Sequence, residues 1–247
     1  MKKRILAGAL VGAALLLTVG CGKKDDKQED NTSVAGPVLV ELEDAEKGNL
    51  VEFGAYEQDG NEENGKEAVE WLVLEVKGGK ALLLSRYGLD FRPFDESGKE
   101  ASWENCSLRA WLNTEFYENA FTQEEWDSIE WTTLQNSGDA MDTEDKVFLL
   151  SVEEAEKYFE KDEKGADGRD YNVHRVAAPT KAALQKDNNT VYNGSWYDGN
   201  SPYWLRTTGS FPIAAAIVDY NGDIYDAGHG VGEPKDMIRP AIWIELE

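Results

Sequence analysis

Oxygen-bearing side chains cluster around one short segment near the carboxyl-terminal end of the chain. Asp219, Asn221, Asp223 and Asp226 lie close together, on either side of the turn dipeptide Asn221-Gly222. Calcium takes about six to eight oxygen ligands, and closely spaced side chains of this kind supply them. These four residues are therefore candidate metal ligands, with calcium as the candidate ion. Flanking Asp residues are also typical of Asn-Gly hairpins that hold no metal, and the spacing differs from that of an EF-hand.

An aromatic segment with interleaved polar residues precedes this turn. It contains Tyr192, Trp196 and Tyr197, and Arg206 follows in an apolar strand. Flat aromatic faces combined with a few polar groups are typical of sugar and peptide sites. We therefore predict Tyr192, Trp196, Tyr197 and Arg206 as ligand-binding residues. The alternative for Arg206 is a structural salt bridge, because a charge in an apolar strand is costly unless it is paired.

Signals for enzymatic chemistry are few. The chain has two histidines, His174 and His229, and it has no phosphate-binding loop or dinucleotide fingerprint. Cys106 precedes an amphipathic helix, where a buried and unreactive thiol is expected. Two facing carboxylates would support glycoside hydrolysis, but the sequence does not single out a pair. We predict no catalytic residue and no cofactor other than the candidate calcium, and the sequence leaves enzymatic activity open.

The amino terminus has the pattern of a secretory signal. Three basic residues, Lys2, Lys3 and Arg4, precede an apolar run over residues 5–19. The run is shorter than the ~20 residues of a membrane-spanning helix. It ends at Gly20-Cys21, so the alternatives are a plain signal peptide and a lipoprotein signal.

The residues around this end favour the lipoprotein. The segment Leu17-Thr18-Val19-Gly20-Cys21 resembles the lipobox of bacterial lipoproteins, although Thr18 stands where Leu is commonest. The resemblance implies a signal peptide over 1–20, palmitate-type acylation of Cys21, and an anchor in the cell membrane that faces outward. Residues 21–37 are polar and charged, which predicts a flexible acidic tether. A globular domain is then expected over 38–247.

Charge limits the classes of partner. The formal net charge is −23 and the isoelectric point is about 4.4. Nucleic acid is excluded as a partner, because phosphate binding needs clustered Lys and Arg. Divalent cations, cationic peptides and neutral ligands remain, and solubility alone is the other explanation of the charge. Eight Trp, ten Tyr and eight Phe indicate a true core.

The order of patterns predicts an α+β domain of antiparallel strands with several short helices. Helix signals are the apolar spacing over 108–116 and capping boxes at Thr122 and Ser151. Strands are predicted over the apolar runs 50–53, 69–76, 80–85, 147–150, 203–206 and 238–244, and over a hairpin of 214–220 with 223–226. Lys77-Gly78-Gly79 is the hairpin signal between the runs 69–76 and 80–85.

Several segments, in this order, resemble a bacterial family known as domain-of-unknown-function family 6273. They are Glu70–Leu74, Ala81–Ser85, Trp103, Ser107–Asn113, Asp145–Ser151, Trp204–Arg206 and Arg239–Ala241. The end of the chain also resembles C-type-lectin-like folds, which implies a ligand-binding face built from late loops. Neither resemblance supplies an established activity.

These observations favour a surface-anchored lipoprotein whose extracytoplasmic domain binds a glycan or a peptide without catalysis. A carboxylate-based hydrolase acting on cell-envelope polymers is the first alternative. An accessory lipoprotein that binds another envelope protein is the second.

Overall fold

Strands of the computed structural model form two larger sheets and one separate hairpin. The structure describes residues 37–136, 138, 140–159, 172, 174–186 and 199–246. The first sheet is antiparallel, and its spatial order is β1 (Leu50–Tyr56), β2 (Glu67–Lys77), β3 (Lys80–Ser85) and β11 (Ala241–Glu245). The predicted Lys77-Gly78-Gly79 turn joins β2 to β3, with left-handed backbone at both glycines.

The second sheet is built mainly from the last third of the chain. Its spatial order is β4 (Asp90–Phe91), β10 (Met237–Ile238), β7 (Tyr203–Thr208), β8 (Ala214–Val218) and β9 (Ile224–Gly230). The β10–β7 pair is parallel and the other pairs are antiparallel. A two-stranded hairpin, β5 (Thr132–Leu134) with β6 (Thr143–Asp145), stands apart from both sheets.

Short helices lie between the strand groups. They are the 3-10 turn Leu42–Asp44, α1 (Ser107–Trp111), a π-helical turn (Leu112–Phe116), α2 (Tyr117–Ala120), α3 (Gln123–Ser128), α4 (Val152–Tyr158) and α5 (Lys181–Lys186). Both predicted capping boxes are present, at Thr122 with Glu125 and at Ser151 with Glu154. The predicted α+β class is confirmed. Within the described residues, no helix is long and apolar enough to cross a bilayer.

The predicted closing strand over 238–244 is wrong as a single strand, because its two ends form β10 and β11, which belong to different sheets. Ile238 pairs with Asp90 in the second sheet, whereas Ala241 pairs with Leu84 in the first. Pro240 lies at the break, where its missing N–H cannot join a ladder. Its carbonyl accepts a hydrogen bond from the Ser85 N–H at 2.9 Å. The main chain therefore passes from the second sheet to the first between Ile238 and Ala241.

The predicted strand over 147–150 is also wrong, although these four residues are buried. Phe148 makes a single bridge to Ala241. The other backbone groups bond elsewhere: Asn113 Oδ1 accepts from the Val147 N–H, and the Leu150 carbonyl accepts from the Arg206 N–H. An apolar run shows that a segment is buried but does not show which groups satisfy its backbone.

Large aromatic side chains fill the interior. Trp71, Trp103 and Trp204 are at most 1% exposed, and each indole nitrogen donates to a protein acceptor. Burial of one such side chain contributes on the order of 2–3 kcal/mol. Trp204 belongs to this core, since it packs edge-on against Phe94 and donates to the Arg92 carbonyl.

Candidate functional site

A polar cavity of about 650 Å³ opens beside Arg206. Four parts of the fold surround this Arg206 cavity: β5 with the residues after it, the start of α4, the middle of β7, and Trp243 of β11. The described lining residues are Thr132, Thr133, Leu134, Gln135, Asn136, Asp142, Ser151, Glu153, Glu154, Arg206, Thr207 and Trp243. A volume of this size falls within the usual range for small-ligand sites.

Arg206 is held at this cavity by an ion pair. Its side chain is only 4% exposed, and both terminal nitrogens donate to the Glu154 carboxylate. Nη1 also donates to the Leu149 carbonyl at 2.9 Å. The structural salt bridge proposed for Arg206 is therefore present, and the same residue lines the cavity. Its role in ligand binding stays a prediction.

Two buried polar atoms of the cavity lining lack hydrogen-bond partners among the described residues. They are Arg206 Nε, a donor, and Asn136 Oδ1, an acceptor. Asn136 uses its amide nitrogen instead, donating to the Met141 carbonyl at 2.8 Å. A buried polar atom without a partner costs about 1–3 kcal/mol, so such atoms are expected where something else supplies the partner.

A second cavity, of about 700 Å³, adjoins the first. This Phe211 cavity lies between the end of β7 with its following turn and the segment before α1. Its described lining residues are Glu100, Ala101, Ser102, Glu104, Asn105, Gly138, Ala140, Thr207, Thr208, Gly209, Ser210, Phe211 and Pro212. Thr207 lines both cavities, and the β5–β6 loop contributes residues to each. We refer to the two cavities together as the cleft.

Thr207 is fixed at the junction of the cavities by a backbone contact. Its hydroxyl oxygen accepts a hydrogen bond from the Val152 N–H at the first turn of α4, at 2.9 Å. The first N–H groups of a helix have no partner inside the helix, so this contact satisfies one of them. Thr207 thus ties β7 to α4 in the middle of the cleft.

The cleft is acidic. Arg206 is the one basic residue among its described lining residues, and Glu154 neutralises it. Three exposed carboxylates, those of Glu100, Asp142 and Glu153, make no ion pair or hydrogen bond with other described residues. An uncompensated carboxylate raises the local concentration of cations.

Buried polar contacts hold the wall of the cleft around Asp145. Asp145 is 1% exposed, and its carboxylate accepts from Arg109 Nε at 2.6 Å and from Trp103 Nε1 at 3.0 Å. The Thr143 hydroxyl donates to the same carboxylate at 2.8 Å. These contacts connect β6 to α1 and to the segment before it. Arg109 therefore joins α1 to β6 through an ion pair with a buried carboxylate.

The four predicted metal ligands surround a hairpin loop over 219–223. Asp219 Oδ1 accepts from the Tyr220 N–H, and Asn221 Oδ1 accepts from the Asp223 N–H. Asn221 Nδ2 donates to Asp223 Oδ2 at 3.1 Å, while Asp226 is exposed on β9. The predicted hairpin is present, but its loop is longer than the dipeptide Asn221-Gly222. Calcium binding by these residues stays a prediction.

Another acidic group lies on the loop between β1 and β2. Carboxylate oxygens of Glu57, Asp59 and Glu67 all lie within 4.8 Å of one another. Backbone N–H groups occupy these oxygens: Glu67 accepts from Gln58, and Glu57 accepts from Gly60. The spacing of these residues along the chain gave no signal, because they meet only through the β1–β2 pairing.

The predicted aromatic ligand residues Tyr192, Trp196 and Tyr197 lie outside the described residues. The adjacent aromatics of β7 are in the core. Tyr203 is 1% exposed, and its hydroxyl donates to the Arg175 carbonyl at 2.9 Å.

One histidine pairs with a carboxylate that the sequence analysis did not single out. His229 Nδ1 lies 2.9 and 3.0 Å from the two oxygens of Asp236, which is fully buried. The hydrogen bond that His229 donates to Asp236 raises the pKa of His229, and burial raises the pKa of Asp236. A buried carboxylate orients the imidazole in this way in many sites. Among the described residues, no serine, threonine or cysteine bonds to His229.

Cys106 is buried at the amino-terminal end of α1. Its sulfur accepts from the Arg109 N–H and donates to the Trp103 carbonyl. Burial raises the pKa of the thiol to about 12, so the expected unreactive role is supported.

Comparison with known proteins gives a family and no activity. The sequence model of the family described as "Domain of unknown function (DUF6273)" matches residues 78–246. Of the segments that carried the resemblance, Glu70–Leu74 alone lies outside the match. No curated protein and no solved structure matches the chain, and the likeness to C-type-lectin-like folds therefore stays a prediction. Because the match covers well over half of the chain, this protein belongs to the DUF6273 family.

Proposed function

We propose that this protein is an exported lipoprotein, anchored through Cys21, whose domain binds an extracytoplasmic glycan or peptide in the cleft. One observation carries the binding proposal: two cavities that share Thr207 in their linings lie beside the buried Arg206–Glu154 pair. Strands β5 and β7 and the start of α4 form part of the lining of these cavities, and loop residues form the rest.

The composition of the lining supports a polar ligand. Hydroxyl and amide side chains are the largest group among the described lining residues, and Trp243 and Phe211 contribute an aromatic surface to the first and the second cavity, respectively. Glycans and peptides combine hydrogen-bonding groups with apolar faces, so both match this lining. A strongly anionic ligand does not, because the free carboxylates would repel it.

The anchor rests on the amino-terminal sequence. Its test is the chain with Cys21→Ser, expressed in bacteria supplied with labelled palmitate. We expect the label and membrane retention with Cys21 and the loss of both with Ser. Equal membrane retention by both chains would contradict lipid anchoring.

A ligand screen tests the cleft. The full chain in detergent is heated with panels of glycans and peptides, since a ligand at a hundredfold excess over Kd stabilises the native state by about 2.7 kcal/mol. Two variants place a bulky side chain at exposed lining positions, Gln135→Trp and Ser210→Trp. Gln123→Trp, on α3 outside the cleft, is the control. We expect the cleft variants alone to lose the thermal shift, and an unchanged shift would place the ligand elsewhere.

The two alternatives give different results in the same screen. A hydrolase would release products from envelope polymers, and an accessory protein would bind an envelope protein and none of the small ligands. If the binding proposal is right, we expect neither product release nor binding of an envelope protein alone.

A further inference from the structure

We propose that the ligand of the cleft is an extended basic peptide, with its lysine or arginine side chains held at Glu100, Asp142 and Glu153. This inference rests on the proposed function, since it names the ligand class of the same cleft. Shape, charge and unsatisfied hydrogen-bonding atoms each contribute to it.

The shape of the cleft favours an elongated ligand. The cavities of about 650 and 700 Å³ lie on either side of Thr207. Each of them alone is large enough for a small molecule. A chain of several residues is the simplest ligand that would occupy both, since it would pass Thr207 in the middle.

The charge of the cleft favours a basic ligand. The three free carboxylates are distributed along it: Asp142 and Glu153 belong to the Arg206 cavity, and Glu100 belongs to the Phe211 cavity. Arg206 does not offset them, because Glu154 already neutralises its charge. Because both cavities contain a free carboxylate, a chain with more than one cationic side chain matches them better than a single cation does.

The buried unsatisfied atoms favour a peptide backbone. Arg206 Nε lacks an acceptor and Asn136 Oδ1 lacks a donor among the described residues, and both residues line the Arg206 cavity. A peptide unit offers one N–H donor and one carbonyl acceptor, and because neither orphan atom is accessible to solvent, the peptide would reach them only after the lining side chains shift. These two atoms are evidence separate from the three exposed carboxylates. They belong to an amide side chain and to a basic side chain that is only 4% exposed.

Exposed apolar side chains at the cleft provide contacts for the apolar residues of such a peptide. Phe211 is 66% exposed on the turn after β7, and Met141 is 71% exposed on the β5–β6 loop. The Met141 N–H donates to the carboxylate of Glu104, which lines the Phe211 cavity. Large exposed apolar side chains beside a cavity are typical of binding sites.

Fluorescent hexapeptides test the proposal on the full chain in detergent. One peptide alternates Lys and Leu, the second replaces Lys by Gln, and the third replaces Lys by Glu. A neutral hexasaccharide is the fourth probe. We expect the Lys peptide to bind tightest, the Gln peptide weakly, and the Glu peptide not at all.

A charge variant locates the binding. Glu100→Gln, Asp142→Asn and Glu153→Gln are combined in one chain. The control combines Glu62→Gln, Asp44→Asn and Glu124→Gln, which changes the net charge equally at exposed positions outside the cleft. Glu124 matches Glu153, because each is the second residue of a capped helix. We expect the cleft variant to bind the Lys peptide about tenfold more weakly at low salt and the control to bind it almost normally.

Other results would overturn the basic-peptide proposal, and they differ from the results that would also reject ligand binding in the cleft. Equal weakening by both variants would mean attraction to the overall charge, and the basic-peptide site would be wrong. Tight binding of the hexasaccharide or the Gln peptide, lost in Gln135→Trp, would keep the cleft and reject the basic peptide. Binding of no probe, or binding unchanged by Gln135→Trp and Ser210→Trp, would reject both proposals.

Discussion

Arg206 of β7 forms a bidentate ion pair with Glu154, the third residue of α4, with Nη2 and Oε1 3.1 Å apart. The same carboxylate accepts the Ser151 N–H in the capping box at 2.9 Å. The Glu154 carboxylate thus accepts the N–H of the residue that caps α4 and also neutralises the buried guanidinium of Arg206. The start of α4 and the middle of β7, which line the Arg206 cavity together, are connected by this residue.

Glu154→Ala is expected to destabilise the protein strongly. Removing one partner of a buried pair leaves the other charge uncompensated, which costs about 3–5 kcal/mol. The matched control is Thr122→Ala, which opens the capping box of α3 at an exposed site and should cost about 1 kcal/mol. Urea unfolding measures both changes. Equal losses for the two variants would show that the ion pair adds nothing beyond the cap.

Asp145→Ala is expected to lower the free energy of unfolding by at least about 3 kcal/mol, because it removes the acceptor of Arg109 and of the buried Trp103 indole. Glu144→Ala, at the exposed neighbouring position, should change it by less than about 0.5 kcal/mol. Tryptophan fluorescence during urea unfolding reports both. A small effect of Asp145→Ala would mean that the wall of the cleft does not depend on this carboxylate.

Stability is expected to fall as the pH rises above about 6.5, the ordinary pKa of histidine. The hydrogen bond that His229 donates to Asp236 raises the pKa of His229 in the folded state. Stabilisation by the protonated imidazole is therefore complete below the unfolded pKa and is lost as the pH rises through the folded pKa. Burial raises the pKa of Asp236 as well, so the folded state again binds the proton more tightly, and the direction is the same.

Thermal unfolding between about pH 5 and pH 9 measures this dependence. His229→Gln should flatten the profile in that range relative to the unsubstituted protein. If His229→Gln has the profile of the unsubstituted protein, the pair does not control the pH dependence.

Gly222→Ala is expected to destabilise the β8–β9 hairpin more than Gly78→Ala destabilises the β2–β3 turn. Both glycines have left-handed backbone, with φ of 84° and 63°, and alanine pays about 1–2 kcal/mol there. At Gly222 an added Cβ would also lie 1.9 Å from the Asn172 carbonyl oxygen, whereas nothing lies within 4 Å at Gly78. Melting temperatures of the two variants compare them, and equal losses would contradict the close contact.

Local patterns were read correctly from the sequence. The capping boxes at Thr122 and Ser151, the Gly78-Gly79 turn and the apolar face of the helix at Leu108 each depend on residues near one another in the chain. Their physical causes are local, so the chain alone predicts them. The family resemblance is also carried by short segments, and the match over 78–246 confirms it.

Long-range partners were not predictable in this way. The run 147–150 is buried as its apolar residues require, yet Asn113 and Arg206 satisfy its backbone in place of a strand ladder. The closing run divides between two sheets at Pro240. His229 and Asp236 are separated by a loop whose path the sequence does not indicate.

The sequence by itself determined the α+β class, the family, the acidic charge and the elements whose signals are local. The tertiary structure decided where those elements meet: it placed Arg206 on Glu154, joined two cavities at Thr207, and left Glu100, Asp142 and Glu153 without cations among the described residues. Propensity and capping act over a few residues, whereas a cavity exists only where distant segments pack and leave space between them.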